Sequence, residues 1–496
     1  MPVWLIVIPS LAISALCLLA GTSAAIRRLS VLGSIVSLCL GLALTVLVLS
    51  SGGILDGSSY FFLDALGAYL ILLVSILALA ASLASGDFLE HEAENEGLGI
   101  NSWRIYYALL HIFIATMLFV AIANNLGLLW IAIEGTTLAS AFLVGFHRRR
   151  HSIEAAWKYV ILCSIGIAFA LLGTILLHHA SLSSGLDTGL LWTSFIETAS
   201  RLDPKAVKLA FLFAALGYGT KMGLAPMHTW LPDAHSQAPS PVSALLSGAL
   251  LTSAFYALAR FYAIAVRSLG PEFPGNILIF FGLASLAVAG PFILLARDYK
   301  RMLAYSSVEH MGFMALGLGL GTPLALYGAL LHAAGHSWAK GLAFFGAGRI
   351  LQARGTRKIT KASGLVATMP ETGIPYFAAL LALAGLPPFS LFVSEIMVLA
   401  SGFGAGRYWV GTTALALLVL AFSGMTHHAI QMGFGPVNGS ERKTPKLSDG
   451  QSVPKNLGWL LIVAVFLILL TVLGLRVPDF LDAWLTVMTR IILSHA

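Results

Sequence analysis

Apolar runs of roughly 18 to 25 residues recur from one end of this chain to the other, each long enough to cross about 30 Å of hydrocarbon as a helix. They fall at about 3–21, 29–50, 64–85, 105–122, 126–146, 157–178, 206–223 (continuing to about 237), 241–266, 276–296, 304–320, 323–350, 369–400, 408–432 and 456–475. Residues 3–21 lack the basic start of a signal peptide and lead through Arg27 and Arg28 into a second run, so they count as the first helix. After Pro478 one more short amphipathic helix is expected, lying on the surface rather than crossing. Only 10% of the residues are charged, where a soluble domain spends about a quarter. The expected fold is all-α, a polytopic membrane bundle of about fourteen transmembrane helices.

Lysine and arginine mark the cytoplasmic side of a membrane protein. Connections on one side carry Arg27 and Arg28, then Arg148, Arg149 and Arg150, then Arg297, Lys300 and Arg301. Further along come Arg354, Arg357, Lys358 and Lys361, and finally Arg442, Lys443, Lys446 and Lys455. The other side holds little beyond Arg201, Lys205, Arg267 and Arg407. In a plasma (cell inner) membrane this puts both termini outside. The acidic segment 86–99 dissents, but carboxylates carry little weight in the rule. Topology accounts for the net charge of +7, so the expected surroundings are lipid bilayer and no nucleic acid.

Two runs are interrupted by glycine and proline at mid-membrane. The seventh reads KMGLAPMHTW (221–230) and the twelfth LAGLPPFSLFVSE (383–395). Proline deletes a backbone donor and clashes with the preceding turn. Such breaks survive at this depth only where protein or a wet cavity satisfies the freed groups. The breaks lie five runs apart, so the two segments cross in opposite directions. Paired broken helices of opposite sense mark inverted repeats around a transport site. The expected organisation is an N-terminal flank of three helices (1–100), two inverted five-helix repeats (101–270 and 271–435), and a final part (436–496). That last part holds a loop, the fourteenth helix and the short amphipathic one.

Ionisable residues stand inside these runs. Glu134 lies in LLWIAIEGTTLASAF, Lys221 just before the first break and Glu395 just after the second. His332, His336 and Lys340 follow one another at steps of four, on one helix face. Glu309 and His310 begin the tenth run. A charge at mid-bilayer costs roughly 2.5 to 3.5 kcal/mol on insertion scales, so each needs a partner or water. A structural ion pair between Glu134 and Lys221 is the plain alternative, but it does not cover a series repeated in both halves. Glu, Lys and His in such a place suit proton relay, since burial brings lysine and carboxylate toward neutrality. At about 8 Å and an effective dielectric near 20, two unit charges interact by about 2 kcal/mol. Moving Glu134 away from Lys221 would therefore push a proton off the lysine, an electrostatic switch without covalent catalysis.

Metal ligation by His332 and His336 lacks a third ligand, so no metal is expected. The three cysteines, Cys17, Cys39 and Cys163, form no CxxC pair and suit no iron–sulfur cluster. Neither a haem motif nor a nucleophile with a base nearby is present, so the chain itself is expected to hold no cofactor and no catalytic centre.

The stretches GTKMGLAPMHTWLPDAHSQAPSPVSALLSGALL (219–251), RDYKRMLAYSSVEHMG (297–312) and HSWAKGLAFFGAG (336–348) closely resemble the antiporter-like subunits of respiratory complex I, of cation/proton antiporter complexes and of group 4 membrane-bound hydrogenases. The wording is most like the hydrogenase-type branch (formate hydrogenlyase and the F type of hydrogenase-4), and the likeness covers about residues 100–435. It implies a charged pair of Glu134 and Lys221, a central His336 and Lys340, the motif histidine His310, and Glu395 as the ionisable group of the twelfth helix. Lys158, in EAAWKYVIL, matches a position suited to proton uptake. Many members carry histidine or lysine in the eighth helix, where this chain has Ser247 and Thr252. The link between the two halves must then run through water, hydroxyls or His228. No long lateral helix follows the fourteenth run, which points to a shorter type of subunit.

The resemblance implies a proton-translocating subunit of a redox-driven complex, hydrogenase-type or NADH-dehydrogenase-type. Its partners would be other membrane subunits and a cytoplasmic redox module, and iron–sulfur clusters, a nickel–iron centre or flavin would sit in those partners. The alternative is a subunit of a sodium/proton antiporter or of an inorganic-carbon uptake complex, with no redox partner.

Overall fold

The computed structural model describes residues 2–52, 54–56, 59–436 and 457–493. Arg442, Lys443, Lys446 and Lys455, which entered the orientation argument, lie outside the described residues. So does most of the connection before the last apolar run.

Helices dominate. α1 (Ile8–Leu19) leads into α2 (Ser23–Ser50) through Thr22, whose side chain accepts from the N–H of Ala25 and caps α2. A two-stranded hairpin, β1 (Ile54–Asp56) with β2 (Phe62–Asp64), then delivers the chain to α3 (Ala65–Glu96). α4 (Ile100–Ile122), α5 (Leu126–Val144) and α6 (Arg150–Ser183) follow. After the short α7 (Trp192–Thr198) come α8 (Pro204–Met222) and α9 (Trp230–Gln237), the two pieces of the seventh run. α10 (Ser240–Leu245) passes through a π-helical turn at Leu246–Leu250 into α11 (Leu251–Leu269). The second half contains α12 (Glu272–Leu294), α13 (Tyr299–Leu320) and α14 (Pro323–Arg354). The turn α15 (Leu365–Thr368) precedes α16 (Pro370–Leu383) and α17 (Ser390–Gly404), the two pieces of the twelfth run. α18 (Tyr408–Phe434), α19 (Leu457–Leu475) and α20 (Asp479–Leu493) complete the described chain.

A helix or a pair of helices thus lies at each apolar run read from the sequence. Among the described residues, nine helices are long and apolar enough to cross a membrane by length and composition. The others are shorter, broken or more polar. The amphipathic helix expected after Pro478 is α20, which buries Trp484, Leu485, Met488 and Ile492 and donates from Trp484 Nε1 to Ala65 O at 2.9 Å. Small residues allow the closest helix approach. A Cβ on Gly282 of α12 would meet Gly312 O of α13 at 2.7 Å, so glycine there lets the two backbones touch.

The two breaks are built alike. α8 ends on Gly223 at φ 81 and α16 runs out to Gly385 at φ 69, a left-handed conformation that favours glycine. Each glycine is followed by leucine, one further residue and a proline, Pro226 or Pro388, whose preceding peptide bond is cis. The N–H of Gly223 bonds Thr220 O and that of Leu224 bonds Gly219 O; Gly385 and Leu386 bond Ala382 O and Leu381 O in the same pattern. Protein side chains answer other groups freed at the first break. Ala225 N–H donates to Ser285 Oγ at 2.9 Å and Trp230 Nε1 donates to Thr220 O at 2.9 Å.

One buried ion pair ties the first half to the flank. Arg260 of α11 grips Asp64, the cap of α3, with Nη1 to Oδ2 at 2.6 Å and Nη2 to Oδ1 at 2.7 Å. Both side chains are 2% exposed. The guanidinium also lies 4.3 Å from the centre of the Trp192 ring and donates to Tyr256 OH at 2.7 Å. Breaking such a pair from one side leaves an uncompensated buried charge and costs about 3–5 kcal/mol. Asp64→Asn is therefore expected to lower the thermal unfolding midpoint of the purified protein markedly. Replacing both partners together by apolar residues should recover much of the loss. An unchanged midpoint in the single variant would contradict this role.

Candidate functional site

In the first half a threonine stands between the two expected partners. Lys221, fully buried at the end of α8, donates from Nζ to Thr137 Oγ1 at 2.7 Å. Thr137 lies on α5 one turn beyond Glu134 and donates in turn to Glu134 Oε2 at 3.2 Å. Ser164 of α6 donates to Glu134 Oε1 at 2.7 Å. Lys221 also donates to Tyr159 OH at 2.9 Å, and that hydroxyl shares a hydrogen bond of 2.8 Å with Ser140 Oγ. Glu134 and Lys221 are thus one network but not a direct ion pair. A hydroxyl that accepts from the lysine and donates to the carboxylate is placed to take a proton from the one as it gives its own to the other.

In the second half the residues of the α14 face meet α13. Lys340 Nζ donates to Leu303 O at 2.7 Å and to Ser306 Oγ. His332 Nε2 and His310 Nδ1 share a hydrogen bond of 3.0 Å, and His332 Nδ1 meets Ser394 Oγ of α17 at 2.9 Å. The His336 ring lies 5.1 Å from that of His310. Glu395 joins them, since one ligand atom from each of His310, His332 and Glu395 lies within 4.8 Å of the others. His336, the expected partner of His332, is not in this group; His310 of α13 and Glu395 of α17 stand beside His332 instead. Glu309, the neighbour of His310 in α13, is also buried.

The two halves approach each other through the π-helical turn of the eighth run. Turns of this kind shift the backbone register and are common at functional sites. Here the carbonyl of Ser247 accepts from His336 Nε2 at 3.3 Å, and Ser247 Oγ shares a hydrogen bond of 2.8 Å with Ser307 Oγ of α13. Thr252 bonds back to the carbonyl of Gly248, one turn earlier in the same run. No hydrogen bond among the described residues joins His228 to either network; its ring stands 6.4 Å from that of Tyr305. Instead His235 lies beside the α14 row, fully buried, stacked on Phe344 at 5.0 Å, with both ring nitrogens unpartnered among the described residues. Lys158 is surface-placed and pairs with Glu154 at 2.7 Å and Asp233 at 3.2 Å. Arg301 meets the same Asp233 at 3.3 Å. Lys158 therefore marks a rim at the end of α9, not a link in the buried chain.

The pattern of exposure has a direction. Glu134 and Glu395 are partly exposed, whereas Lys221, His332, His336, Lys340 and His310 are fully buried. Sequence reasoning found these seven. It missed Thr137, Ser164, Tyr159 and His235, although Thr137 carries a signal, a hydroxyl one helical turn from an intramembrane carboxylate. Thr137→Val removes the relay while keeping shape. It should slow proton transfer through the first half about tenfold, the equivalent of one hydrogen bond to a charged group. Proton uptake by vesicles carrying the variant measures this, and a wild-type rate would exclude Thr137 from the path.

The profile of a family described as NADH:quinone oxidoreductase/Mrp antiporter, transmembrane, matches residues 123–421. The chain is 38% identical over 384 residues to the hydrogenase-4 component F homolog of Methylacidiphilum infernorum (isolate V4), covering 77% of this chain and 80% of that protein. It is 34% identical to NADH-quinone oxidoreductase subunit N of Desulforudis audaxviator (strain MP104C), covering 72% and 68%. In fold it is similar to a chain of the membrane-bound sulfane sulfur reductase, an archaeal respiratory membrane complex. That match has a TM-score of 0.84 and 21% identity over 99% of this chain and 96% of the other.

Proposed function

This chain belongs to the NADH:quinone oxidoreductase/Mrp antiporter transmembrane family, and from that membership we propose that it is a proton-translocating membrane subunit of a redox-driven complex, of the hydrogenase type. The observation that carries the proposal is the pair of polar clusters, the first joining Lys221 to Glu134 through Thr137 and the second gathering His310, His332 and Glu395, each beside a Gly-Leu-x-Pro break and each holding a partly exposed carboxylate. A structural ion pair needs no relay hydroxyl, no histidine row and no second copy. A proton path makes use of such groups, because each can both take up and give up a proton or pass one along.

In this reading Lys221 and Lys340 are the carriers that hold a proton in each half. Glu134 and Glu395 set the charge that each lysine feels, and His310, His332 and His336 pass the proton onward. Glu134 moves relative to Lys221 by breaking the bond to Thr137, which changes the electrostatic bias on the lysine. The matching bonding at the two breaks supports the inverted repeats of 101–270 and 271–435. Loop charge supports an outside location for both termini. Partners would be further membrane subunits and a cytoplasmic redox module that holds the iron–sulfur, nickel–iron or flavin centres.

Two measurements test the proposal. Lys221→Ala should insert and assemble normally but lose proton translocation, and wild-type translocation in that variant would remove Lys221 from the mechanism. Co-purification from native membranes in mild detergent should yield a large redox subunit with nickel and iron. Iron and flavin without nickel would assign the chain to an NADH-dehydrogenase-type complex. Membrane subunits alone, without redox metal, would assign it to an antiporter or inorganic-carbon uptake complex.

A further inference from the structure

His310, His332 and Glu395 come from three helices, α13, α14 and α17, and bring their ligand atoms to within 4.8 Å of one another. We infer that they form a binding site for a divalent transition-metal ion of the zinc type, and that an ion bound there stops proton hand-over between the two histidines. Two imidazoles and one carboxylate are a donor set that zinc takes with its fourth position left for water. Sodium, magnesium and calcium prefer oxygen and gain little from two nitrogen donors.

The two histidine nitrogens already stand close to the spacing that zinc sets. His310 Nδ1 and His332 Nε2 are 3.0 Å apart, and two nitrogens each at about 2.0–2.1 Å from a tetrahedral zinc stand about 3.3 Å apart. The ion would sit about 1.2 Å off the line between the two nitrogens, so both rings turn toward it, and the Glu395 oxygen, within 4.8 Å of them, closes in as the third ligand. His332 is already oriented from its far side, where Nδ1 meets Ser394 Oγ at 2.9 Å, as ligating histidines are. His310 Nε2 is buried and meets no hydrogen-bond partner at normal geometry among the described residues. His336, the neighbour of His332 along the helix, is directed to the carbonyl of Ser247 and takes no part.

Binding breaks the hydrogen bond shared by the histidines, and the shared hydrogen passes to the far nitrogen of its own ring, a change of tautomer with no net loss of a proton. The binding claim is independent of the transport reading, whereas the block rests on it.

The test uses the full chain in detergent, incubated with Co2+ as a visible probe, desalted, and assayed for cobalt per chain. The expected result is one retained ion with the intense absorption of tetrahedral cobalt. His332→Asn and Glu395→Gln should each lose it. His336→Asn should keep it, and so should Glu92→Gln/His147→Asn, which disables a second His/Glu cluster nearer the surface. Retention in His336→Asn also separates loss of a ligand from loss of fold in this row. If the wild type retains no ion, if His336→Asn loses it, or if the surface double variant alone loses it, the site is wrong. Zinc added to the reconstituted wild-type complex should then lower proton translocation, with recovery on chelation. Bound metal with undiminished translocation would overturn the block and leave the site standing.

Discussion

Lys221 reaches the interior of the bundle with a threonine hydroxyl, a tyrosine hydroxyl and the face of the Tyr159 ring as its immediate company. A cation in a low-dielectric setting is tolerated only when neighbouring groups replace the water it has lost. Much of the first half is arranged around that requirement. α5 supplies Thr137 and Glu134, α6 supplies Tyr159 and Ser164, and α8 carries the lysine in its last turn, just before the break. Lys340 meets the same need differently, through a backbone carbonyl and a serine on α13. Neither lysine is locked in a direct carboxylate pair among the described residues. A cation bound to neutral groups exchanges its proton more easily than one held by a full negative charge.

The broken helices matter for the same reason. A continuous helix consumes its own backbone donors and acceptors, and a Gly-Leu-x-Pro interruption releases some of them at depth. Ser285 and Trp230 take up two at the first break. At the second, Gly385 packs against the Glu395 carboxylate, where a Cβ would leave no room. The π-helical turn in the eighth run does a related job without proline. It turns the carbonyls of Ser247 and Gly248 toward His336 and Ser337 of α14. A chain lacking an ionisable residue at that level thus still brings polar groups from both halves together.

Much of this was legible in the sequence. Charges inside apolar runs stand out because hydrocarbon makes them costly, which is why Glu134, Lys221, Lys340 and Glu395 were found. Proline and glycine announce the breaks by their backbone chemistry. Hydroxyls do not announce themselves. Thr174 and Thr252 bond the carbonyl four residues back in their own helices, while Thr137 and Ser164 reach a neighbour, and nothing local separates the two cases. His228 and His235 lie seven residues apart in one motif, and only tertiary packing decides which one joins the α14 row. The Asp64–Arg260 pair joins positions 196 apart in sequence, and no period in the chain points to it.

The central claim is that one buried path uses both halves, so the lysine of the second half is as necessary as that of the first. Its most direct test is the number of protons moved per electron pair by the reconstituted complex carrying Lys340→Met, beside wild type at equal redox turnover. The account predicts an assembled complex with a lower proton yield. An unchanged yield would mean that protons bypass Lys340, and the path through α13 and α14 would have to be abandoned.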